Sequence, residues 1–149
     1  SENICYLSEI TIPGRTLIRE TGSVVDAEII NIASFKSGDN NSGESIESKL
    51  KTSSLFVKYF DYQKFKQDIC IRPRRDGDYI VPLGMKGKKK IKDLFIDSKV
   101  PREIRNRIPL IASGSEIIWV VGYRISENYK VDKNTKNVLR IEFKNRGDN

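Results

Sequence analysis

This 149-residue sequence contains no histidine and only two cysteines, Cys5 and Cys70. Histidine is the commonest general base and the commonest zinc ligand, so its absence argues against zinc sites and most acid–base catalysis. The two cysteines lie far apart in the sequence, and without histidine they do not make a metal site. We therefore expect both to be small buried apolar side chains rather than ligands or a disulfide.

Long apolar runs are also missing. No segment offers the roughly 18 consecutive apolar residues that a membrane-spanning helix requires. The first residues, Ser1, Glu2 and Asn3, have neither the basic nor the apolar region of a secretory signal. The sequence therefore predicts a cytoplasmic protein without a membrane segment, in a compartment where disulfides are unfavourable.

Familiar catalytic motifs are missing as well. The sequence has no catalytic triad, and Gly84-x-x-Gly87-Lys88 falls short of both the P-loop and the dinucleotide-binding pattern. Asp76 and Asp78 flank a glycine, and a tight turn explains this arrangement better than a pair of catalytic carboxylates. We predict no catalytic residue, no metal site and no cofactor in this chain.

The patterns that are present indicate a single α+β domain, residues 1–149. Alternating or apolar runs predict several short strands in 4–32, strands at 55–60, 68–72 and 138–143, and a hairpin at 110–122. Trp119 lies in a run that is apolar on both faces, as in a central strand. Residues 37–48 are polar and aperiodic, which predicts a flexible loop. We expect a small, mostly antiparallel sheet with one or two helices.

Two helices are predicted in the basic part of the chain. Residues 88–99 place Ile91, Leu94 and Phe95 on one face, at the spacing of a helix that packs on a core. A second, short helix begins at Pro101, which is a favoured first-turn residue. The first helix would begin with three lysines, at the end of the helix dipole that disfavours cations unless an anion is bound.

Positive charge is concentrated between residues 72 and 107. This stretch contains twelve of the 27 lysines and arginines and five acidic residues, so its net charge of +7 equals that of the whole chain. Such a concentration is typical of a polyanion-binding surface. Arg72 and Arg74 are predicted to alternate outward at a strand end, where a guanidinium suits phosphate oxygens. Lys88, Lys89 and Lys90 would converge with backbone N–H groups on one phosphate.

A solvated lysine run, a membrane surface and a small phosphate ligand are the alternatives. The apolar residues of the first helix suit a core better than a lipid surface, and no nucleotide-binding motif is complete. Structured RNA, held through its backbone phosphates, fits the charge pattern best. The aromatic residues that flank the stretch are expected to lie mostly in the core, with base stacking as the alternative; they are Tyr59, Phe60, Tyr62, Phe65 and Tyr79.

Several stretches resemble the C-terminal domain of bacterial tRNA(Ile)-lysidine synthetase. They are IRPRRDGD at 71–78, PLGMKGKKKIKDLF at 82–95, KVPR at 99–102, RIPL at 107–110, IWVVG at 118–122 and RIS at 124–126. Before residue 72 the similarity is thinner, with Ile12-Pro13-Gly14 as its landmark, and residues 37–48 do not align.

The resemblance implies a fold shared with the β chain of bacterial phenylalanyl-tRNA synthetase. It also implies an enzyme that uses ATP to ligate lysine to the wobble cytidine of the CAU-anticodon isoleucine tRNA. The ATP-pyrophosphatase domain of that enzyme, which would hold ATP and Mg²⁺ and is marked by a Ser-Gly-Gly-x-Asp-Ser loop, would be N-terminal, and its motif is absent here. The implied partners are the isoleucine tRNA and this catalytic domain, and a homodimer is a further option.

On this interpretation the chain is a single C-terminal tRNA-binding domain. The predicted RNA-binding residues are Arg72, Arg74, Arg75, Lys86, Lys88, Lys89, Lys90, Lys92, Lys99, Arg102 and Arg105. The alternative is a structural or dimerisation domain of the same enzyme without direct RNA contact. A third hypothesis is a regulatory site for a small phosphate compound at residues 84–90.

Overall fold

The structure is a computed structural model that describes residues 5–36 and 54–145. The predicted loop at 37–48 lies outside the described residues. Within them the chain forms two β-sheets and short helices, and nearly all strand pairs are antiparallel. The α+β class is therefore confirmed, although the strands divide between two sheets instead of forming one.

The larger sheet has seven strands, and half of its six pairings join segments that are distant in sequence. Its strands are β1 (Ser8–Glu9), β5 (Cys70–Arg72), β6 (Tyr79–Ile80), β7 (Lys89–Lys90), β8 (Leu110–Ser113), β9 (Glu116–Val120) and β10 (Arg124–Ile125). The order is β1-β5-β8-β9-β6-β7, and β10 also pairs with β9. Strands β6 and β9 run parallel, with Tyr79 opposite Glu116.

The smaller sheet has four antiparallel strands. They are β2 (Gly14–Ile18), β3 (Ser23–Asn31), β4 (Val57–Asp61) and β11 (Asn137–Lys144), in the order β2-β3-β11-β4. A hairpin turn joins β2 to β3, and the predicted last strand is β11, in the middle of the sheet.

The helices are short. They are α1 (Ile32–Lys36), α2 (Ile91–Asp97), α3 (Arg102–Arg105) and two 3₁₀ helices, Tyr62–Lys64 and Glu127–Tyr129. The first of these 3₁₀ helices directly follows β4, with the Asp61 side chain accepting a hydrogen bond from the Gln63 N–H at 3.0 Å. No helix in the described part of the chain is long and apolar enough to cross a membrane.

The larger sheet is buried on both faces, which gives the molecule three layers. Its contacts with the smaller sheet are made by Ile71, Ile111 and Trp119 against side chains such as Phe60 and Leu139. Its other face packs on the apolar side of α2 and on the segment that follows it. The second cluster is Ile80, Ile91, Leu94, Phe95, Val100, Ile108, Leu110, Ala112, Ile117 and Val120. Helices α2 and α3 thus present their polar sides to solvent.

A β-bulge in β9 explains the run that is apolar on both faces. Trp119 lies opposite Ile111 and Ile117 lies opposite Ala112, so Ile118 is an extra residue on this strand. As a result Ile118 and Trp119 both enter the core between the sheets, and Ile117 belongs to the core beneath the helices. The prediction that Trp119 lies in the core of a central strand is confirmed.

Candidate nucleic-acid interface

Six of the twelve basic residues of 72–107 line one pocket of about 760 Å³ on the helix side of the larger sheet. We call it the cationic pocket. The basic residues that line it are Arg74, Arg75, Lys90, Lys92, Arg102 and Arg105. Among the described residues none of these six side chains forms an ion pair with a carboxylate. Asp76 and Asp78 also line the pocket, but Asp78 is paired with Arg72, so the lining keeps a positive excess that favours an anionic ligand.

Arg72 differs from the other arginines, because its side chain is only 2% exposed. Its guanidinium donates to both carboxylate oxygens of Asp78, at 2.8 and 2.9 Å, and to the carbonyls of Pro73 (3.0 Å) and Gly114 (2.9 Å). The hydrogen bond with Asp78 raises the pKa of Arg72. The prediction that Arg72 faces outward is wrong, because the buried carboxylate of Asp78 holds it inside.

Asp78 also shapes the tight turn that the sequence predicts at this point. The Asp78 N–H donates to the Arg75 carbonyl at 3.2 Å, and its carboxylate accepts from the Arg75 N–H at 2.7 Å. Gly77 occupies the turn with φ of +88°, a left-handed value that glycine adopts without strain. The Asp78 carbonyl accepts from the Ile91 N–H at 3.0 Å, so one residue fixes both the arginine-bearing turn and the start of α2.

Two arginines of the cationic pocket are each held by one hydrogen bond that the Nε atom donates. Arg74 Nε donates to Asn106 Oδ1 at 2.9 Å, and its guanidinium carbon lies 5.7 Å from the Phe95 ring centroid. Arg105 Nε donates to the Val100 carbonyl at 2.9 Å. These bonds orient the guanidinium groups, and a positioned planar fork is the form of arginine that suits bidentate contact with a phosphate. Asn106 was not identified from the sequence, because its role depends on this tertiary contact.

The lysines at 88–90 do not form the first turn of a helix. Lys89 and Lys90 extend as β7 and pair with β6, and α2 begins at Ile91. The three side chains consequently diverge. Lys89 forms an ion pair with Asp97, Lys90 lines the cationic pocket, and the Lys88 ammonium lies 4.5 Å from the Tyr79 ring centroid. The prediction that all three converge on one phosphate is wrong.

The glycine-containing loop at 82–87 is tied to the second 3₁₀ helix. The Gly84 N–H donates to the Glu127 carboxylate at 2.8 Å, and the Glu127 N–H donates to the Val81 carbonyl at 2.7 Å. The ion pair with Lys130 and the hydrogen bond from Gly84 lower the pKa of Glu127. The Gly84 N–H is therefore already hydrogen-bonded to a carboxylate and does not serve a small phosphate.

Lys86 and Lys99 lie outside the cationic pocket, and both are exposed. Lys99 follows α2 with φ of +56°, which is uncommon for a residue with a Cβ atom. The Lys99 and Val100 N–H groups donate to the carbonyls of Ile96 (3.0 Å) and Phe95 (2.9 Å), the two bonds that close this type of helix end. The turn points the chain toward Arg102 at the start of α3.

The cysteine prediction is half right. Cys70 is half-buried in β5 and its pKa is raised by burial, whereas Cys5 is exposed, and neither forms a disulfide. No group of histidine, cysteine, aspartate or glutamate side chains within 5–36 and 54–145 is arranged to hold a metal ion.

The fold is one that occurs in domains of tRNA-acting enzymes. The chain superposes on a structure described as the crystal structure of the TilS C-terminal domain, with a TM-score of 0.68, covering 95% of this chain and 97% of that one. It also superposes on an N-terminal fragment of the phenylalanyl-tRNA synthetase β-subunit from Pyrococcus horikoshii, with a TM-score of 0.55, covering 83% of this chain and 39% of that one. The identities are 22% and 18%, so these likenesses concern the fold alone.

The sequence defines the family more narrowly. The family described as "TilS substrate C-terminal domain" matches residues 69–143, and the chain belongs to it. The tRNA(Ile)-lysidine synthase of Caldanaerobacter subterraneus subsp. tengcongensis is 46% identical over 142 residues, which is 95% of this chain and 27% of that protein. The chain thus spans about a quarter of the length of the curated relatives it matches. The resemblance predicted from the sequence is confirmed.

Proposed function

We propose that the cationic pocket binds the backbone phosphates of a tRNA, and that this chain is the tRNA-binding C-terminal domain of a tRNA(Ile)-lysidine synthase. One observation carries the proposal: six basic side chains without carboxylate partners among the described residues line one pocket. The pocket lies inside the stretch that matches the family. Arginine and lysine side chains gathered on one surface recognise the charge and shape of an RNA backbone.

The complete enzyme, on this proposal, is a cytoplasmic ATP-dependent ligase that joins lysine to the isoleucine tRNA. The described residues provide no cluster suited to a metal ion. ATP and Mg²⁺ are therefore assigned to the N-terminal catalytic domain. The present chain binds the tRNA and holds it for that catalytic domain. Its partners are the tRNA and that catalytic domain.

We assign the RNA contacts to those predicted residues that are accessible in the structure. They are Arg74, Arg75, Lys86, Lys88, Lys90, Lys92, Lys99, Arg102 and Arg105. Two predicted residues receive another role. Arg72 holds the turn that carries Arg75, and Lys89 is paired with Asp97.

The test is a pair of matched double variants. Lys90→Glu/Lys92→Glu reverses two charges in the cationic pocket, and Lys133→Glu/Lys136→Glu reverses two charges of equally exposed lysines that do not line it. We expect the pocket variant to lose affinity for isoleucine tRNA in a filter-binding assay. Its slope of log affinity against log salt should also fall by about 2, since each of the two lysines would no longer neutralise a phosphate.

The matched control should keep most of the affinity, with the same circular dichroism spectrum as the pocket variant. Equal losses in both variants would mean that only the net charge matters and would contradict a specific pocket. Unchanged affinity in the pocket variant, together with self-association on gel filtration, would favour the structural or dimerisation role instead.

A further inference from the structure

We propose that a second pocket, on the other side of the Arg72–Asp78 ion pair, binds an unpaired nucleobase of the same RNA. This inference rests on the proposed function and adds a base-binding site to it. The pocket has a volume of about 780 Å³, and we call it the polar pocket. It is lined by residues of the 63–67 segment, β6, the β8–β9 turn and the second 3₁₀ helix. The lining side chains with polar groups or rings include Gln63, Gln67, Tyr79, Ser115, Asn128 and Tyr129.

The side chains of the polar pocket suit the edge of a base. The amides of Gln63 and Gln67 each offer both donors and acceptors, and the hydroxyl of Ser115 does the same. Base edges present mixed donors and acceptors, and they are read in RNA where bases are unstacked. Within the described residues Gln63 and Gln67 have no side-chain hydrogen bond, so their amides are available.

The one carboxylate in the lining is already engaged. Glu116 accepts hydrogen bonds from the Tyr129 hydroxyl at 2.8 Å and from the Asn128 amide at 2.7 Å. These bonds fix the Tyr129 ring, which stacks on Phe65 with centroids 4.8 Å apart. Lys66 adds a positive charge at the rim. An anionic nucleotide therefore meets a cation there, and the Glu116 carboxylate is already hydrogen-bonded to two donors.

Tyr79 connects the polar pocket to the basic surface. Its half-buried ring lines the polar pocket, and the Lys88 ammonium lies 4.5 Å from the ring centroid. A base that contacts this ring therefore has a cation close by for its phosphate. Single-stranded nucleic acid is commonly held by this combination of an aromatic ring and neighbouring positive charge.

The two pockets share a rigid wall. The buried Arg72 guanidinium bonds to Asp78, which lines the cationic pocket, and to the Gly114 carbonyl, which lines the polar pocket. The Tyr79 N–H donates to the Ser115 carbonyl at 3.1 Å and closes the same wall. A stem held in the cationic pocket would accordingly have a fixed second site beside it. The ligand that fits this site is an unpaired strand at the end of that stem.

The test compares two RNA hairpins, one with a blunt end and one with the same stem and a single-stranded 3′ extension of about four nucleotides. We expect this protein to bind the extended hairpin about fivefold or more tightly than the blunt one, as expected for a base on an aromatic ring. Gln63→Ala/Gln67→Ala should lower that ratio and leave binding of the blunt hairpin unchanged. Tyr79→Leu should also reduce the ratio, and Asn134→Ala, an exposed amide outside the pocket, should preserve it.

The outcomes separate this inference from the proposed function. Binding of the blunt hairpin without any gain from the extension would overturn the polar pocket and leave the cationic pocket standing. A gain in affinity that persists both in Gln63→Ala/Gln67→Ala and in Tyr79→Leu would show that the base binds elsewhere and would also overturn the inference. Failure of the protein to bind either hairpin would contradict the proposed function itself.

Discussion

Arg72 is a charged side chain that stabilises the fold, and its contribution to the free energy of unfolding can be measured. Its guanidinium is paired with both oxygens of a carboxylate that is itself 3% exposed. Removal of one partner of a buried ion pair leaves the other charge uncompensated, at a cost of roughly 3–5 kcal/mol. We expect Arg72→Met to lower the free energy of unfolding by that amount in urea denaturation, and to weaken RNA binding indirectly, through the unfolded fraction and the loosened turn that carries Arg75.

The matched control is Arg75→Met, three positions along the chain, where the side chain is exposed. It should change the free energy of unfolding by less than about 0.5 kcal/mol and still reduce RNA affinity. The assignment of Arg72 to the fold would be wrong if Arg72→Met kept full stability and reduced RNA affinity as Arg75→Met does.

At the residue scale, the exposure of a basic side chain could be predicted from the sequence, whereas its carboxylate partner could not. Charged side chains are exposed by default, so most of the basic residues are accessible as expected. Arg72 and Lys89 are the exceptions, because Asp78 and Asp97 pair with them. Alternation along a strand indicates which residues share a face, but it does not reveal which face is covered by another part of the chain.

Among the elements, the 82–87 loop depends on one carboxylate. The pKa of Glu127 is lowered, chiefly by Lys130 and then by the Gly84 N–H, from an ordinary value of 4.5. Because the pKa of Glu127 is lower in the folded state, its ionised carboxylate stabilises the fold above pH 4.5. This contribution to stability is lost as the pH falls through the lower, folded value. We expect the Gly84 amide proton resonance to titrate with a midpoint below 4.5 in an NMR pH series.

The Glu127→Gln variant should remove this titration, because its amide does not ionise. Glu103→Gln, an exposed change in α3, is the control and should leave the Gly84 titration as it is. A midpoint at or above 4.5 in the unaltered protein would show that the carboxylate gains nothing from Gly84 and Lys130.

The elements themselves were predictable to the extent that they are local. The turn at 20–23, the hairpin at 110–122 and the amphipathic part of α2 each have their signal in adjacent residues. The start of α2 was misplaced, because lysine is a good helix former and residues 88–90 look helical on their own. Their extended form comes from pairing of Tyr79 with Lys90 and of Ile80 with Lys89, a contact that the local pattern does not contain.

At the scale of the whole molecule, the layered architecture decides where charge can collect. The larger sheet has one face against the smaller sheet and the other beneath the helices, so both of its faces are buried in hydrophobic cores. The positive charge is left on α2, α3 and the turns at the edge of the sheet. Division of the strands into two sheets could not be foreseen, because β3, β4 and β11 pair across more than half of the chain.

The charge of the whole molecule leads to a prediction about salt and pH together. If phosphate contacts dominate, log affinity for tRNA should fall linearly with log salt, by about 0.9 for each duplex phosphate neutralised. The nine accessible basic residues assigned above limit the slope to about −8.

The chain has no histidine, the side chain whose charge ordinarily changes between pH 5 and 8. Affinity measured by filter binding at constant salt should therefore be nearly independent of pH from about 6 to 8. A flat salt response would contradict phosphate contacts, and a steep pH response in that range would require a titrating group that the basic surface does not contain.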